Sequence, residues 1–141
     1  MKSLRIPLLL AVLAHAVPAG AAHLPVSLLE HVDDRVLALS IPEEALVDSP
    51  RWQPGQGPVP FTVQQLIRRI ENWVQQTRPE VESVRFREFV LKPVESPRYG
   101  RYWHYLVVFR PVVGGRESEQ DSYVAVLLDG RIFHGLVEPG L

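Results

Sequence analysis

The stretch Tyr102-Trp103-His104-Tyr105-Leu106-Val107-Val108-Phe109-Arg110-Pro111-Val112-Val113 is the longest β-favouring run in the chain. It is dense in aromatic and β-branched residues, which favour strands. Alternate residues of a strand point to opposite faces. One face is then an almost unbroken apolar stripe of Trp103, Tyr105, Val107 and Phe109. The other face is apolar in the middle and polar at its ends, with Tyr102, His104, Leu106, Val108 and Arg110. This pattern predicts a strand inside a sheet, buried on one face and half-covered on the other.

The best-specified helix precedes this strand and is predicted over residues 62–78. Thr62 is the N-cap and Gln65 the N3 residue of a capping box, and Phe61 and Leu66 form a hydrophobic staple. Apolar residues then recur at i, i+3, i+4 and i+7 on one face: Val63, Leu66, Ile67, Ile70, Trp73 and Val74, followed by Thr77. Arg78 stands before a proline, and that position resists the α region and closes the helix. We expect this amphipathic helix to lie on the sheet.

Four strands are predicted after Pro79: residues 81–91, 102–113, 120–128 and 131–137. A bulge near Arg87-Glu88 would place Val84, Phe86, Phe89 and Leu91 on one face. Residues 92–101 are interpreted as a connection. Asp129-Gly130 indicates a two-residue type I′ hairpin turn, which sets Leu127 opposite Ile132 and Val126 opposite Phe133. The fold class is therefore α+β, one long amphipathic helix packed on a four-stranded antiparallel meander sheet, with residues 61–141 as the domain.

Residues 1–22 are typical of a cleaved secretory signal peptide. Lys2 and Arg5 give the positive n-region, residues 8–14 an apolar h-region too short to span a bilayer, and Ala19-x-Ala21 the cleavage site. The next residues, 23–60, form an N-terminal extension and a proline-rich loop. There we expect a short helix or turn over 26–33, a strand over 35–41 and one helical turn at 42–46. Trp52 in the loop either tethers that loop to the domain or is exposed for a partner or a sugar.

Charge and composition limit the classes of partner. The chain has 15 basic and 16 acidic residues, and loss of Lys2 and Arg5 with the signal lowers the basic count to 13 and the net charge to −3. A nucleic-acid binder normally shows a basic excess, so no nucleic-acid partner is expected. No second apolar run reaches membrane-spanning length. The absence of cysteine excludes disulfides, thiolate metal sites and a cysteine nucleophile. We therefore interpret the chain as a periplasmic or secreted bacterial protein.

No catalytic, cofactor or metal motif stands out. The chain lacks Ser-His-Asp spacing and a G-x-S-x-G elbow. His23 at a new N-terminus and His31 near Asp33-Asp34 lack the ligand count of a dedicated metal site. His104 and His134 could share a metal only if both faced the same side of the sheet. We therefore assign no catalytic residue, no metal ligand and no cofactor.

The densest cluster of aromatic and basic residues, over residues 98–105, supplies the candidate binding residues. Side chains of this kind favour partner interfaces. The candidates in or beside this cluster are Tyr99, Arg101, Tyr102, His104 and Arg110.

The order of one helix and then four antiparallel strands over about 61–137 resembles the cystatin-like and PepSY-like α+β architectures. Pro111-Val112-Val113-Gly114-Gly115 is similar to the Gln-x-Val-x-Gly wedge of cystatins. Here Pro111 stands at the Gln position and the segment falls in the second hairpin after the helix, so no inhibitory residue is carried over. The resemblance implies a small exported domain associated with inhibition or regulation.

Two functions follow as expectations. The first is a non-enzymatic module that binds a periplasmic protein or peptide, or a second copy of itself, through the sheet face or the hairpin ends. Its apolar surface would comprise Leu106, Val108, Val126 and Phe133. The alternative is a small-molecule-binding protein or enzyme with a pocket between helix and sheet, using Tyr102, His104 and Arg110.

Overall fold

The computed structural model describes residues 26–32 and 35–139. The predicted signal peptide and His23 lie outside the described residues. The elements in chain order are β1 (Val26–Val32), β2 (Arg35–Ile41), α1 (Glu43–Val47), α2 (Val63–Thr77), β3 (Ser83–Ser96), β4 (Gly100–Val113), β5 (Arg116–Glu117), β6 (Ser122–Leu127), β7 (Ile132–His134) and β8 (Leu136–Pro139). The fold is mixed, with one helix of 15 residues on a mostly antiparallel sheet.

The main sheet is the predicted antiparallel meander. Its strand order is β3-β4-β6-β7, and β5 adds a short pairing to β4. The predicted bulge is confirmed, because the β3–β4 register shifts between Phe86 and Glu88. One extra residue in β3 changes the facing of every residue after it. As predicted, the four apolar residues of β3 all pack on the same side as α2: Val84, Phe86, Phe89 and Leu91.

Helix α2 covers one face of this sheet. The capping box is present: the Thr62 hydroxyl accepts from the Gln65 amide at 3.2 Å, and the Gln65 side chain accepts from the Thr62 amide at 2.8 Å. The buried residues of the helix pack on the predicted apolar stripe of β4. That cluster contains Leu66, Ile70, Val74, Tyr105, Val107, Phe109, Val124 and Val126, with Trp103 at its margin.

The reverse face of the sheet is covered by β2 and α1. Leu37, Leu39 and Ile41 of β2 and Leu46 of α1 are buried there. They pack against Tyr102, Leu106, Val108 and Ala125 of the main sheet. Full burial of an aliphatic side chain stabilises the fold by about 1.5–3 kcal/mol, so these contacts give β2 a firm place. The strand predicted over 35–41 and the helical turn after it are both confirmed.

The short helix or turn predicted over 26–33 is wrong, because this segment is strand β1. It pairs antiparallel with the whole of β2, from Val26 opposite Ile41 to Val32 opposite Arg35. The helical spacing of apolar residues was ambiguous in so short a segment. Pairing with a neighbouring strand satisfies every second backbone group, and this tertiary contact outweighs a weak local preference.

The predicted register of the last hairpin is wrong by one residue. Ile132 lies opposite Val126 and Phe133 opposite Ala125. The Gly130 amide donates to the Leu127 carbonyl at 2.9 Å, and the Leu127 amide donates to the Arg131 carbonyl at 3.0 Å. The loop therefore has three residues with Gly130 at φ +88°, a type I turn with a bulge in place of a type I′ turn. Val126, opposite Tyr105 of β4, lies on the α2 side together with Ile132, and Phe133 lies on the reverse side with Ala125.

The return strand predicted over 131–137 is split at Gly135. Strand β7 ends at His134, and β8 pairs with β2 in a second sheet of order β1-β2-β8. A Cβ at Gly135 would lie 2.8 Å from the Ala38 carbonyl oxygen and 2.8 Å from Leu37 Cδ1. Only glycine lets the chain pass so close to β2.

The connection predicted over 92–101 is also wrong, because strand pairing continues through most of it. Ser96 lies opposite Gly100, so the turn is residues 97–99. Pro93 suggested a break, but β3 is an edge strand of the main sheet, where a missing donor is tolerated. The strand predicted over 120–128 is slightly shorter, Ser122–Leu127.

We expect Gly135→Ala to destabilise the fold by about 1–3 kcal/mol, because overpacking forces neighbouring atoms apart. Chemical denaturation followed by circular dichroism would measure the change. Gln76→Ala on the exposed side of α2 is the matched control and should stay within about 0.5 kcal/mol of the parent. A Gly135→Ala protein as stable as the control would show that the chain does not pass as close to β2 as described.

Candidate ligand-binding sites

The structure separates the five predicted binding residues. Tyr102 and His104 are 2% and 1% exposed. Tyr102 packs beneath β2 and α1 on the reverse face, and His104, two residues further along β4, faces the same side. The binding role predicted for these two stays a prediction. Their burial was not foreseen, because the alternation of β4 does not reveal that another segment covers this face.

Arg110 lies at the far end of β4 in an ion-pair cluster. Its Nε contacts Asp121 Oδ1 at 2.5 Å, and Nη1 lies 3.7 Å from Glu117 Oε1. The hydrogen bond to Asp121, with a smaller contribution from the charges of Asp121 and Glu117, raises the pKa of Arg110. Arg110 therefore orients the Asp121 carboxylate. It lies near the C-terminal end of β4, whereas Tyr99 and Arg101 lie at the other end of this strand.

Tyr99 and Arg101 lie at the end of the β3–β4 hairpin. Strand β6 pairs with β4 only over His104–Phe109, so the turn end of the hairpin extends beyond it as two strands. An isolated pair of strands is marginally stable in water. This one is fixed from the reverse side, where Ser96 Oγ donates to Glu43 Oε1 at 2.7 Å and accepts from the Tyr99 amide at 3.0 Å.

Arg51 fixes the same turn from the proline-rich loop. Its Nη2 donates to the Tyr99 carbonyl at 2.5 Å and to the Tyr102 hydroxyl at 2.9 Å. The guanidinium carbon lies 4.7 Å from the centroid of the Tyr102 ring, within the range of a cation–π contact. Arg51 was missed from the sequence, since nothing local links it to residues about fifty positions later.

Trp52 holds the loop on the opposite face. Its ring meets Trp103 edge-on, with centroids 5.8 Å apart, and its Nε1 donates to the Gly57 carbonyl at 3.1 Å. Of the two interpretations of Trp52, the structure supports the tether. Beside this contact is an open groove of about 350 Å³, which we call the hairpin groove; its lining residues are Gln53, Pro54, Glu95, Arg101 and Trp103.

A second concavity, the helix-end cleft, lies between the last turn of α2 and the sheet. Its volume is about 270 Å³. Trp73 and His134 have ring centroids 6.1 Å apart. The other lining residues include Val74, Arg78, Phe109, Asp121, Ser122 and Val124. Sequence reasoning missed this cleft, because its walls come from α2, β4, β6 and β7 and no motif joins them.

The centre of the helix–sheet interface is filled. Leu66 and Ile70 are fully buried against β4 and β6, so the pocket predicted there with Tyr102, His104 and Arg110 is not formed by those residues. His104 faces the reverse side, because it lies two residues from both Tyr102 and Leu106 along β4, whereas His134 contacts Trp73 on the α2 side. The two histidines therefore cannot share a metal. Within residues 35–135, no three His, Asp or Glu side chains are placed to hold one.

Comparison of the chain with protein-family models, curated proteins and solved structures found no match. The resemblance to cystatin-like and PepSY-like architectures stays a prediction. In the part of the chain that the structure describes, no helix is both long enough and apolar enough to cross a bilayer.

We expect Arg51→Gln to loosen the hairpin end selectively, since two hydrogen bonds and one cation–π contact are lost there. Amide hydrogen exchange at Tyr99–Tyr102 should accelerate by about tenfold, with exchange in α2 unchanged. Arg68→Gln, on the exposed side of α2, is the control. Equal exchange at Tyr99–Tyr102 in the two variants would contradict the role given to Arg51.

Proposed function

We propose that this chain is an exported, non-enzymatic module that binds a protein or peptide through the end of the β3–β4 hairpin. The observation that carries the proposal is the bracing of this hairpin from both sides. Glu43 and Arg51 hold its turn, and Trp52 packs on Trp103. A braced surface loses little conformational entropy when it binds, which favours affinity.

The residues exposed on this end are of the kinds that dominate interfaces. Arg98 and Arg101 are exposed and Tyr99 is half-buried, and Arg101 lines the hairpin groove. Tyr, Trp and Arg are enriched among residues whose truncation weakens binding most. Residues 95–101 contain two arginines, Arg98 and Arg101, and one acidic residue, Glu95, which pairs with Arg101. An acidic segment would therefore be the complementary partner.

The sheet face, which was also expected from the sequence to bind a partner, gives no support to this role. Leu106 and Val108 are buried beneath β2 and α1, and Val126 lies on the α2 side. Self-association through that apolar face would require β2 to leave. The hairpin end is therefore the better-supported surface of the two expected from the sequence.

A second candidate function is small-molecule binding, and the helix-end cleft favours it. The alternative hypothesis from the sequence was a small-molecule pocket between helix and sheet, and this cleft lies between them. Its lining contains Trp73, Asp121 and His134 in place of Tyr102 and His104. Arg110 remains its neighbour through Asp121.

Site-specific photo-crosslinking would test the hairpin proposal. A photoreactive phenylalanine at Arg98, in the full chain expressed in the cells that make it, should give a discrete adduct. The same probe at Arg68 on α2 should not. Arg101→Glu in the probe-bearing chain should reduce the adduct by at least about fivefold, because it reverses the charge presented to an acidic partner. Adducts that are equal at the two positions, or absent at both, would contradict the proposal.

A further inference from the structure

We infer that the helix-end cleft binds a zwitterion of amino-acid size that carries a flat apolar side chain. This inference rests on the second proposed function and gives that function a ligand class. It uses the cleft already described, with Arg78 on the helix wall and Asp121 on the sheet wall.

The size of the cleft limits the ligand. Binding pockets for drug-sized molecules run from about 300 to 1,000 Å³, and this cleft of about 270 Å³ falls just below that range. A compact molecule with one ring is therefore favoured over a nucleotide or an oligosaccharide.

Arg78 retains donors for a carboxylate. Its Nε is used by Glu80 at 3.1 Å, and a guanidinium has five N–H donors in a planar fork. The pair with Glu80 is exposed, with 45% and 54% of the two side chains accessible. Such exposed pairs are weak, so a ligand carboxylate can share Arg78 with little loss.

Asp121 retains acceptor capacity for an ammonium group. The contact with Arg110 uses Oδ1, and a carboxylate offers about four lone-pair sites on two oxygens. The Asp121 carboxylate is three-quarters buried and is oriented by Arg110. Ser122 lines the cleft next to it with a hydroxyl.

The remaining wall combines apolar side chains with the indole of Trp73 and the imidazole of His134. Trp73 lies beside His134 with the two rings inclined by 35°, and Val74, Phe109 and Val124 complete this side. A planar side chain can stack on an indole at a gain of about 0.5–1.5 kcal/mol beyond its burial.

Neither a simple anion nor a simple cation suits both walls. The Asp121 carboxylate on the sheet wall repels a lone anion. Arg78 in turn repels a lone cation. A zwitterion places its carboxylate on Arg78 and its ammonium toward Asp121, so each charge meets its opposite.

Isothermal titration of the signal-free chain with three related probes would test the ligand class. The probes are L-phenylalanine, phenethylamine, which lacks the carboxylate, and 3-phenylpropionate, which lacks the ammonium. We expect L-phenylalanine to bind at least about tenfold more tightly than either of the others.

Two substitutions assign the two ends of the ligand. Arg78→Met should weaken L-phenylalanine about tenfold without weakening phenethylamine. Asp121→Asn should weaken L-phenylalanine without weakening 3-phenylpropionate. Arg68→Met is the control, and circular dichroism would confirm that each variant is folded. Loss of all binding in a folded Arg68→Met protein would overturn the inference.

The nuclear magnetic resonance signal of the Trp73 indole N–H, assigned with Trp73→Phe, distinguishes failure of this inference from failure of the proposed small-molecule binding. Equal binding of the three probes, or a Trp73 shift caused only by uncharged fragments, would overturn the zwitterion and leave small-molecule binding standing. If neither the probes nor a fragment panel moved the Trp73 signal, both would be contradicted.

Discussion

The middle of strand β4 is apolar on both faces, and other elements cover both faces there. Tyr105, Val107 and Phe109 are buried under α2, while Tyr102, Leu106 and Val108 are buried under β2 and α1. A single amphipathic helix can cover only one side of a sheet. The chain therefore needs a second cover, and the segment before the proline-rich loop supplies it. The need for this second cover determines where the elements before and after the main sheet lie.

The double cover also decides where a ligand can bind. Both broad faces of the sheet are closed, and the hairpin groove and the helix-end cleft lie at the two ends of β4. The hairpin groove is at the start of β4, next to Arg101 and Trp103. The helix-end cleft reaches Phe109, near its other end. The proline-rich loop serves the first site directly, because Arg51 and Trp52 hold the turn that a partner would meet.

Local chemistry made much of this fold predictable from the sequence. The capping box at Thr62 and Gln65, the bulge at Arg87 and the two stripes of β4 each depend on residues close together in the chain. The missed features depend on distant contacts. Position 135 requires glycine because β2 passes close to it, and β1 is a strand because β2 pairs with it. The hairpin at Gly130 was misjudged because Asp-Gly suits two turn lengths, and one residue of difference places Phe133 on the opposite face from Val126.

The candidate sites were less predictable for the same reason. Tyr102 and His104 look like binding residues until the cover over them is known, and the cleft at Trp73 joins residues about sixty positions apart. Only Arg101, of the five residues proposed from the sequence, lines one of the two described concavities.

The covered reverse face is tested most directly by thiol labelling, since the chain has no cysteine of its own. Val108 is 6% exposed on that face, and Val113 on the same strand is 43% exposed. In native buffer Val108→Cys should react only as fast as the protein opens, at least about a hundredfold more slowly than Val113→Cys. Equal labelling rates in two folded variants would contradict a sheet covered on both sides.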